Sequence, residues 1–135
     1  MRLFFSTLSV VYIAGIFILT GSPLAINSTF LNPYSLLHIP LYGILTFLLT
    51  LSFMSLKFNP FNKINQINPR NPRNWRNYFL LSGGIALIIA IADEIHQVYV
   101  PGRDASINDV LLDMVGISLA LFLFFRLLKS KYHYS

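Results

Sequence analysis

Four long apolar segments constrain the fold more than any other feature of this sequence. They cover about residues 3–20, 34–56, 78–100 and 108–128, and the first contains eighteen residues without a charge. At about 1.5 Å of rise per residue, a helix of about 20 residues crosses the roughly 30 Å hydrocarbon core of a bilayer. Only 11% of the 135 residues are charged, against about 25% in soluble domains. We therefore predict an all-α integral membrane bundle of four transmembrane helices, forming one domain over residues 1–135.

The first apolar segment has two interpretations. Arg2 followed by residues 3–20 could be the start of a secretory signal peptide. However, the apolar run is longer than a usual signal-peptide core, and residues 22–25 (Ser-Pro-Leu-Ala) form a poor cleavage site. We favour an uncleaved first transmembrane helix.

The distribution of Lys and Arg predicts the orientation. There is one at the N-terminus, none in the first connection, five in the second, one in the third and three at the C-terminus. Because basic residues concentrate on the cytoplasmic side, this pattern predicts a multi-pass cell-membrane protein with both termini in the cytoplasm. Residues 21–33 and 101–107 would then lie on the outer face.

The second connection, the basic segment 57–77, differs from the rest of the chain. It contains five basic residues, no acidic ones, three prolines and seven asparagines, which predicts an irregular cytoplasmic loop next to anionic lipid headgroups. A nucleic-acid site needs stacking aromatics on a folded basic surface, and Trp75 alone does not provide one. Membrane lipids are the expected partners, and the oligomeric state is not predicted.

The acidic residues are concentrated in one short stretch. All five lie within residues 92–113, together with His96 and Arg103. Fifteen apolar or small residues precede Asp93, which places it short of the outer edge of the hydrocarbon core. Because ionisable groups at this depth cost a few kcal/mol each and normally face the bundle interior, we predict a polar site near the outer face.

Helical spacing assigns the side chains of this stretch to faces. Asp93, His96 and Gln97 follow an i, i+3, i+4 pattern and should share one face, while Glu94 and Gln97 are three residues apart. The alternative is that the helix ends early and these are solvated interfacial residues. For catalysis, Glu94 or His96 is the candidate general base.

Two more groups could join the site. His38 begins the second segment at the same outer level and shares a face with Tyr42. Asp109 and Asp113 lie on one face that continues through small residues, which indicates close helix packing. Asp109 also has capping-box spacing from Ser106, and capping is its simpler role.

Arg103 and the histidines leave further alternatives open. Arg103 could bind an anion in a bidentate fork, or simply form an ion pair with Asp104 or Glu94. Two histidines with carboxylates could bind a metal, but no tight ligand spacing supports this, so no metal ligand or cofactor is assigned. The sequence lacks a His-Glu-x-x-His motif, a nucleophile elbow and a phosphate-binding glycine loop.

Several of these segments resemble the VanZ-like family of small bacterial membrane proteins. The matching patterns are D-E-x-x-Q at 93–97, P-x-R at 101–103, D-x-x-x-D-x-x-G at 109–116 and H-x-x-x-Y at 38–42. They occur in the expected order and cover most of the chain. The family often carries Asp-Lys before the second-segment histidine, whereas this chain has Tyr34-Ser35, so its ligand or activity is expected to differ if that pair is functional.

The resemblance implies a multi-span membrane protein related to one associated with low-level resistance to teicoplanin, a lipoglycopeptide that acts on cell-wall precursors. The first hypothesis is a ligand-binding protein of the cell envelope. Its expected ligand-binding residues are His38, Tyr42, Asp93, Gln97, Arg103, Asp109 and Asp113.

The second hypothesis is an enzyme. Glu94 or His96, with His38 as partner, would act by acid/base or metal-assisted chemistry on a lipid-linked cell-wall substrate. A third, weaker hypothesis is a subunit that only assembles with other membrane proteins.

Overall fold

The computed structural model describes residues 2–22, 33–56, 72–102 and 105–133. The described part is all-helical and contains no β-strand, which confirms the predicted fold class. The helices are α1 Arg2–Thr20, α2 Pro33–Leu36, α3 His38–Leu56, α4 Pro72–Val98 and α5 Ile107–His133.

Three helices contain stretches that are long and apolar enough to cross a membrane: Leu3–Thr20, Trp75–Val98 and Ile107–Ser130. The apolar part of α3, His38–Met54, is shorter. Large apolar side chains cover the outside of the bundle, including Leu3, Ile18 and Ile88, each more than 60% exposed. A helix with apolar residues on its outward face is suited to contact lipid.

The second predicted segment is not one continuous helix from residue 34. A short helix, α2, ends at Leu36, a turn follows at Leu37, and α3 begins at His38. Pro40 explains the break, because its ring has no N–H and would clash with the carbonyl of Leu36 in an uninterrupted helix. Within the first turn of α3 the missing N–H costs nothing. The interruption makes His38 the first residue of a helix.

Two other boundaries differ from the prediction. Residues 72–77 were expected to belong to the irregular basic loop, but α4 begins at Pro72. Proline is favoured in the first turn of a helix, and the residues after it continue directly into the apolar segment. Residues 57–71 lie outside the described residues. At the other end of the chain, α5 extends to His133 instead of residue 128.

The third helix lies at the centre of the bundle, where it contacts α1, α4 and α5. Its closest approach is to α5, at Gly116. A Cβ atom added at Gly116 would lie 2.2 Å from the carbonyl oxygen of Ile39, so only glycine allows the two backbones to meet there. Small residues at helix interfaces permit this kind of contact in membranes.

Polar side chains also join the helices within the apolar core. Thr50 Oγ1 of α3 donates to Ser82 Oγ of α4 over 2.8 Å, and both side chains are fully buried. The hydroxyl of Tyr12 in α1 donates to the backbone carbonyl of Leu41 over 3.2 Å. These bonds connect α3 to α4 and to α1.

Candidate functional site

One end of the bundle gathers most of the polar residues singled out by the sequence. At this end α1 and α4 finish while α3 and α5 begin. Most of these side chains are buried, although the neighbouring surface is apolar. We refer to the following residues as the polar cluster: His38, Tyr42, Asp93, Glu94, Gln97, Asp109 and Asp113.

His38 and Asp113 join α3 to α5. The Nδ1 atom of His38 lies 2.9 Å from Oδ1 of Asp113, and the two residues are 4% and 0% exposed. With Asp113 ionised, the Nδ1–H group donates and the bond fixes the tautomer of the ring. The ring of Tyr42 stacks on His38 with a centroid distance of 6.2 Å and an interplanar angle of 12°. This stacking confirms that His38 and Tyr42 share a face of α3.

Asp93 joins α4 to α1. Oδ1 accepts a hydrogen bond from Thr20 Oγ1 at 2.5 Å, and Oδ2 accepts one from Gln97 Nε2 at 3.1 Å. Thr20 was not predicted as a site residue. The available signal was its position as the last residue of an apolar helix that ends at the level of Asp93. These two hydrogen-bond donors offset the cost of burying the carboxylate, which would be several kcal/mol without a partner.

Glu94 joins α4 to the start of α5. Its Oε2 accepts a hydrogen bond from the backbone N–H of Ser106 at 2.8 Å, and Gln97 Nε2 donates to Oε1 at 3.3 Å. In a capping box, Asp109 would accept from that Ser106 N–H. Ser106 still caps α5, because its Oγ accepts from the N–H of Asn108. The capping role expected for Asp109 is therefore wrong, and its side chain lies buried within the polar cluster.

His38, Glu94 and Asp109 form a group of three potential metal ligands. One nitrogen or oxygen atom from each lies within 4.8 Å of the others, and all three side chains are buried. Two further polar atoms in the cluster have no hydrogen-bond partner among the described residues, Oη of Tyr42 and Oδ2 of Asp113. The hydroxyl of Tyr42 nevertheless interacts electrostatically with Asp93 and Asp113, and it lies within reach of a weak hydrogen bond to the carboxylate of Asp93.

His96 lies at the exposed edge of the polar cluster, close enough to Asp93 to interact with it electrostatically. Its side chain is exposed and packs edge-on against Phe17 of α1, with a centroid distance of 5.5 Å. The prediction that His96 faces the bundle interior with Asp93 and Gln97 is wrong, because the buried arc runs from Asp93 through Gln97 to Glu94. At about 100° per residue, His96 lies about 60° outside that arc.

Among the described residues, the cluster contains several acidic side chains and no Lys or Arg. Four carboxylates are buried there, and His38–Asp113 is the one ion pair found in the described part of the chain. Arg103, the predicted anion-binding residue, and its alternative partner Asp104 lie outside the described residues. The cluster can accept hydrogen bonds from hydroxyl or amine groups and can attract a cation.

A family model described as VanZ/LLP1 matches residues 8–129, which includes every residue of the polar cluster. The chain belongs to the VanZ/LLP1 family. No curated protein and no solved structure matches it.

The VanZ-like motifs contribute to the cluster from different helices. The H-x-x-x-Y pattern supplies His38 and Tyr42 from α3, and the D-E-x-x-Q pattern supplies its acids and glutamine from α4. The D-x-x-x-D-x-x-G pattern on α5 has two roles. Its acids enter the cluster, and Gly116 allows close contact with α3. Three VanZ-like motifs on three different helices thus meet at one end of the bundle.

Proposed function

We propose that this VanZ-family protein binds a lipid-linked molecule of the cell envelope at the outer face of the membrane, with the polar head at the polar cluster. The observation that carries the proposal is the burial of His38, Glu94 and Asp113 at one end of an apolar bundle. Burying several ionisable groups is costly and is usually associated with function in membrane proteins. A role as a mere helix cap or surface ion pair does not require this burial.

The chemistry of the cluster fits the head of a cell-wall precursor. Carboxylates and the histidine ring accept hydrogen bonds from the hydroxyl and amide groups of sugars and peptides. Arg103 follows α4 in the sequence and supplies a guanidinium suited to phosphate. The charge pattern of the connecting segments predicts that this end faces outward.

An apolar groove supports the lipid-linked part of the proposal. It lies between α3 and α5, has a volume of about 640 Å³, and extends from Ile39 and Gly116 to Arg126 and Ser130. Gly116 and Ser130 are fourteen positions apart, which corresponds to about 21 Å of helix. Its upper end is within one turn, along each helix, of His38 and Asp113. We propose that the hydrocarbon chain of the ligand occupies this groove.

The experiment measures binding of a polyprenyl-pyrophosphate-linked muropeptide precursor to purified protein in detergent, by native mass spectrometry. Leu119→Trp fills the groove, and Ile88→Trp places the same ring on an exposed position of α4 outside it. We expect the first variant to bind at least fivefold more weakly and the second to bind normally. Equal affinities would remove the groove from the proposal, and no binding by the wild type would refute the proposal itself.

Arg103→Ala tests separately whether the protein binds the anionic head of the ligand. We expect it to abolish binding of the precursor while folding and membrane insertion persist. Phosphatidylglycerol provides the comparison, because a site that recognises only a phospholipid headgroup would bind it as well as the precursor. Unchanged binding of the precursor to Arg103→Ala would exclude the anion-binding role.

The link to teicoplanin is tested in cells. If the protein protects a cell-wall precursor, its expression in a sensitive Gram-positive host should raise the minimum inhibitory concentration of teicoplanin. The Asp93→Asn variant is expressed alongside as a control with an altered cluster. An unchanged inhibitory concentration would separate ligand binding from resistance.

A second candidate function, an enzyme acting on the same substrate class, is favoured by the His38–Asp113 pair. A histidine oriented by a carboxylate is a common general base, and Glu94 lies beside it. The assay follows release of phosphate or sugar from the precursor, with and without a chelator. Turnover that disappears in His38→Ala and persists in His96→Ala would establish the enzyme; no turnover under either condition would reject it.

A further inference from the structure

Three potential metal ligands in the polar cluster come from three different helices. His38 begins α3, Glu94 is near the end of α4, and Asp109 is in the first turn of α5. Their donor atoms lie within 4.8 Å of one another. Ligands bound about 2.1 Å from a tetrahedral ion are about 3.4 Å apart, so small side-chain rotations would bring all three to a common ion.

The surroundings of His38 prepare one nitrogen for a metal. Because the Nδ1–H group donates a hydrogen bond to Asp113 Oδ1 over 2.9 Å, Nε2 is the nitrogen that keeps a free lone pair. A histidine that donates its other N–H to a carboxylate is the usual arrangement in metal sites, where the carboxylate orients the ring and raises its basicity. Asp113 already makes this contact with His38.

The surroundings of Glu94 are similarly fixed. The N–H of Ser106 holds Oε2 over 2.8 Å, and Gln97 contacts Oε1 over 3.3 Å. An ionised carboxylate has about four lone-pair sites, so both oxygens can still reach a cation. The backbone contact restricts the side chain without neutralising its charge.

One unpartnered atom provides independent support for a cation. Oδ2 of Asp113 has no hydrogen-bond partner among the described residues, and the residue is 0% exposed. Buried polar atoms normally have a partner, and an exception needs a specific explanation such as an ion or water. A divalent cation, directly or through its bound water, would provide a partner for this oxygen.

We propose that His38, Glu94 and Asp109 bind a divalent first-row transition-metal ion, such as Zn²⁺, with Asp113 positioning the histidine. One imidazole with two carboxylates suits such an ion. Three protein ligands leave at least one position for water or for an oxygen of a substrate. This inference goes beyond the proposed lipid binding and does not depend on it.

The experiment uses the full chain, purified in detergent with a tag that lacks histidine and stripped with a chelator. Isothermal titration with Zn²⁺ and elemental analysis after gel filtration should give about one ion per chain. Glu94→Gln and Asp109→Asn preserve side-chain size, and each should weaken binding at least tenfold. His96→Ala is the matched control, because it removes an exposed histidine three residues from Asp93 and should leave the affinity unchanged.

A second measurement identifies the ligands directly. Co²⁺ bound to the protein should give visible absorption bands typical of nitrogen and oxygen ligands, and Asp113→Asn should shift them while weakening binding about tenfold to hundredfold. Failure of the wild type to retain an ion would overturn the proposal. So would full affinity in both Glu94→Gln and Asp109→Asn, or an equal loss in His96→Ala. None of these measurements includes a lipid ligand, so their outcome is distinguishable from that of the precursor-binding experiment.

Discussion

His38 and Asp113 are separated by 75 positions in the chain, yet their side chains meet over 2.9 Å in a place almost closed to solvent. The pair connects the first residue of α3 to the second turn of α5. Its contribution to stability differs from that of a surface ion pair, because removing either side chain leaves the other buried without a hydrogen-bond partner.

We predict that His38→Ala destabilises the protein by about 3 kcal/mol, since Asp113 loses its hydrogen-bond donor. Thermal unfolding of the metal-free protein in detergent measures the change. His96→Ala is the control; its side chain is exposed, and a change within about 0.5 kcal/mol is expected. Equal effects of the two substitutions would show that the buried pair makes no special contribution.

Gly116 provides a second prediction. An alanine there would place Cβ 2.2 Å from the Ile39 carbonyl oxygen, so α3 and α5 would have to separate, at a cost of about 1–3 kcal/mol. Gly84→Ala is the matched control, since a Cβ at Gly84 has no neighbour within 4 Å. That substitution should stabilise α4 by about 0.5–1 kcal/mol. We therefore expect Gly116→Ala to lower the unfolding temperature and Gly84→Ala to raise it. An unchanged unfolding temperature in Gly116→Ala would contradict the close contact.

Thr20→Val tests the connection between α1 and α4. Valine keeps the shape of threonine but removes the hydroxyl that donates to Asp93. Because hydrogen bonds to charged groups contribute about 1.5–3 kcal/mol, we expect a loss of that size in unfolding free energy. Thr7→Val is the control, because Thr7 bonds only to the backbone of its own helix on an exposed face. If Thr7→Val costs as much, the loss reflects helix backbone effects and not the contact with Asp93.

The orientation in the membrane can be tested directly, because the chain contains no cysteine. Ala105→Cys places a thiol at an exposed position beside the polar cluster, and Lys129→Cys places one at the opposite end of α5. With both termini in the cytoplasm, a membrane-impermeant maleimide should label residue 105 in intact cells and residue 129 only after permeabilisation. The reverse pattern would place the polar cluster on the cytoplasmic side.

Sequence patterns were sufficient for the fold class because long uncharged segments leave few alternatives in a chain of this size. Spacing also predicted the shared faces of His38 with Tyr42 and of Asp109 with Asp113, since helical geometry fixes both. It failed for His96 because the spacing rule does not show where the centre of the buried face lies. Glu94, only one residue away from Asp93, turned out to extend that face in the opposite direction.

The group formed by His38, Glu94 and Asp109 could not be found by searching for ligand spacing, because its members come from three helices. The sequence also could not show that the Ser106 N–H donates to Glu94 instead of Asp109. Local sequence favours Asp109 as the acceptor, whereas tertiary packing brings Glu94 to it from another helix. Pro72 shows that a basic, asparagine-rich segment can still begin a helix when an apolar segment follows.

The joining of four helices at the polar cluster has a consequence for biosynthesis. While the ribosome is still producing the last segment, His38 and Glu94 are already in the chain, but Asp113 and the amide of Ser106 have not yet been inserted beside them. A nascent chain lacking α5 therefore exposes unpaired polar groups to lipid or to the insertion machinery. Completion of the final helix is the event that closes these contacts, so truncated products should be retained by insertion factors or removed by membrane proteases.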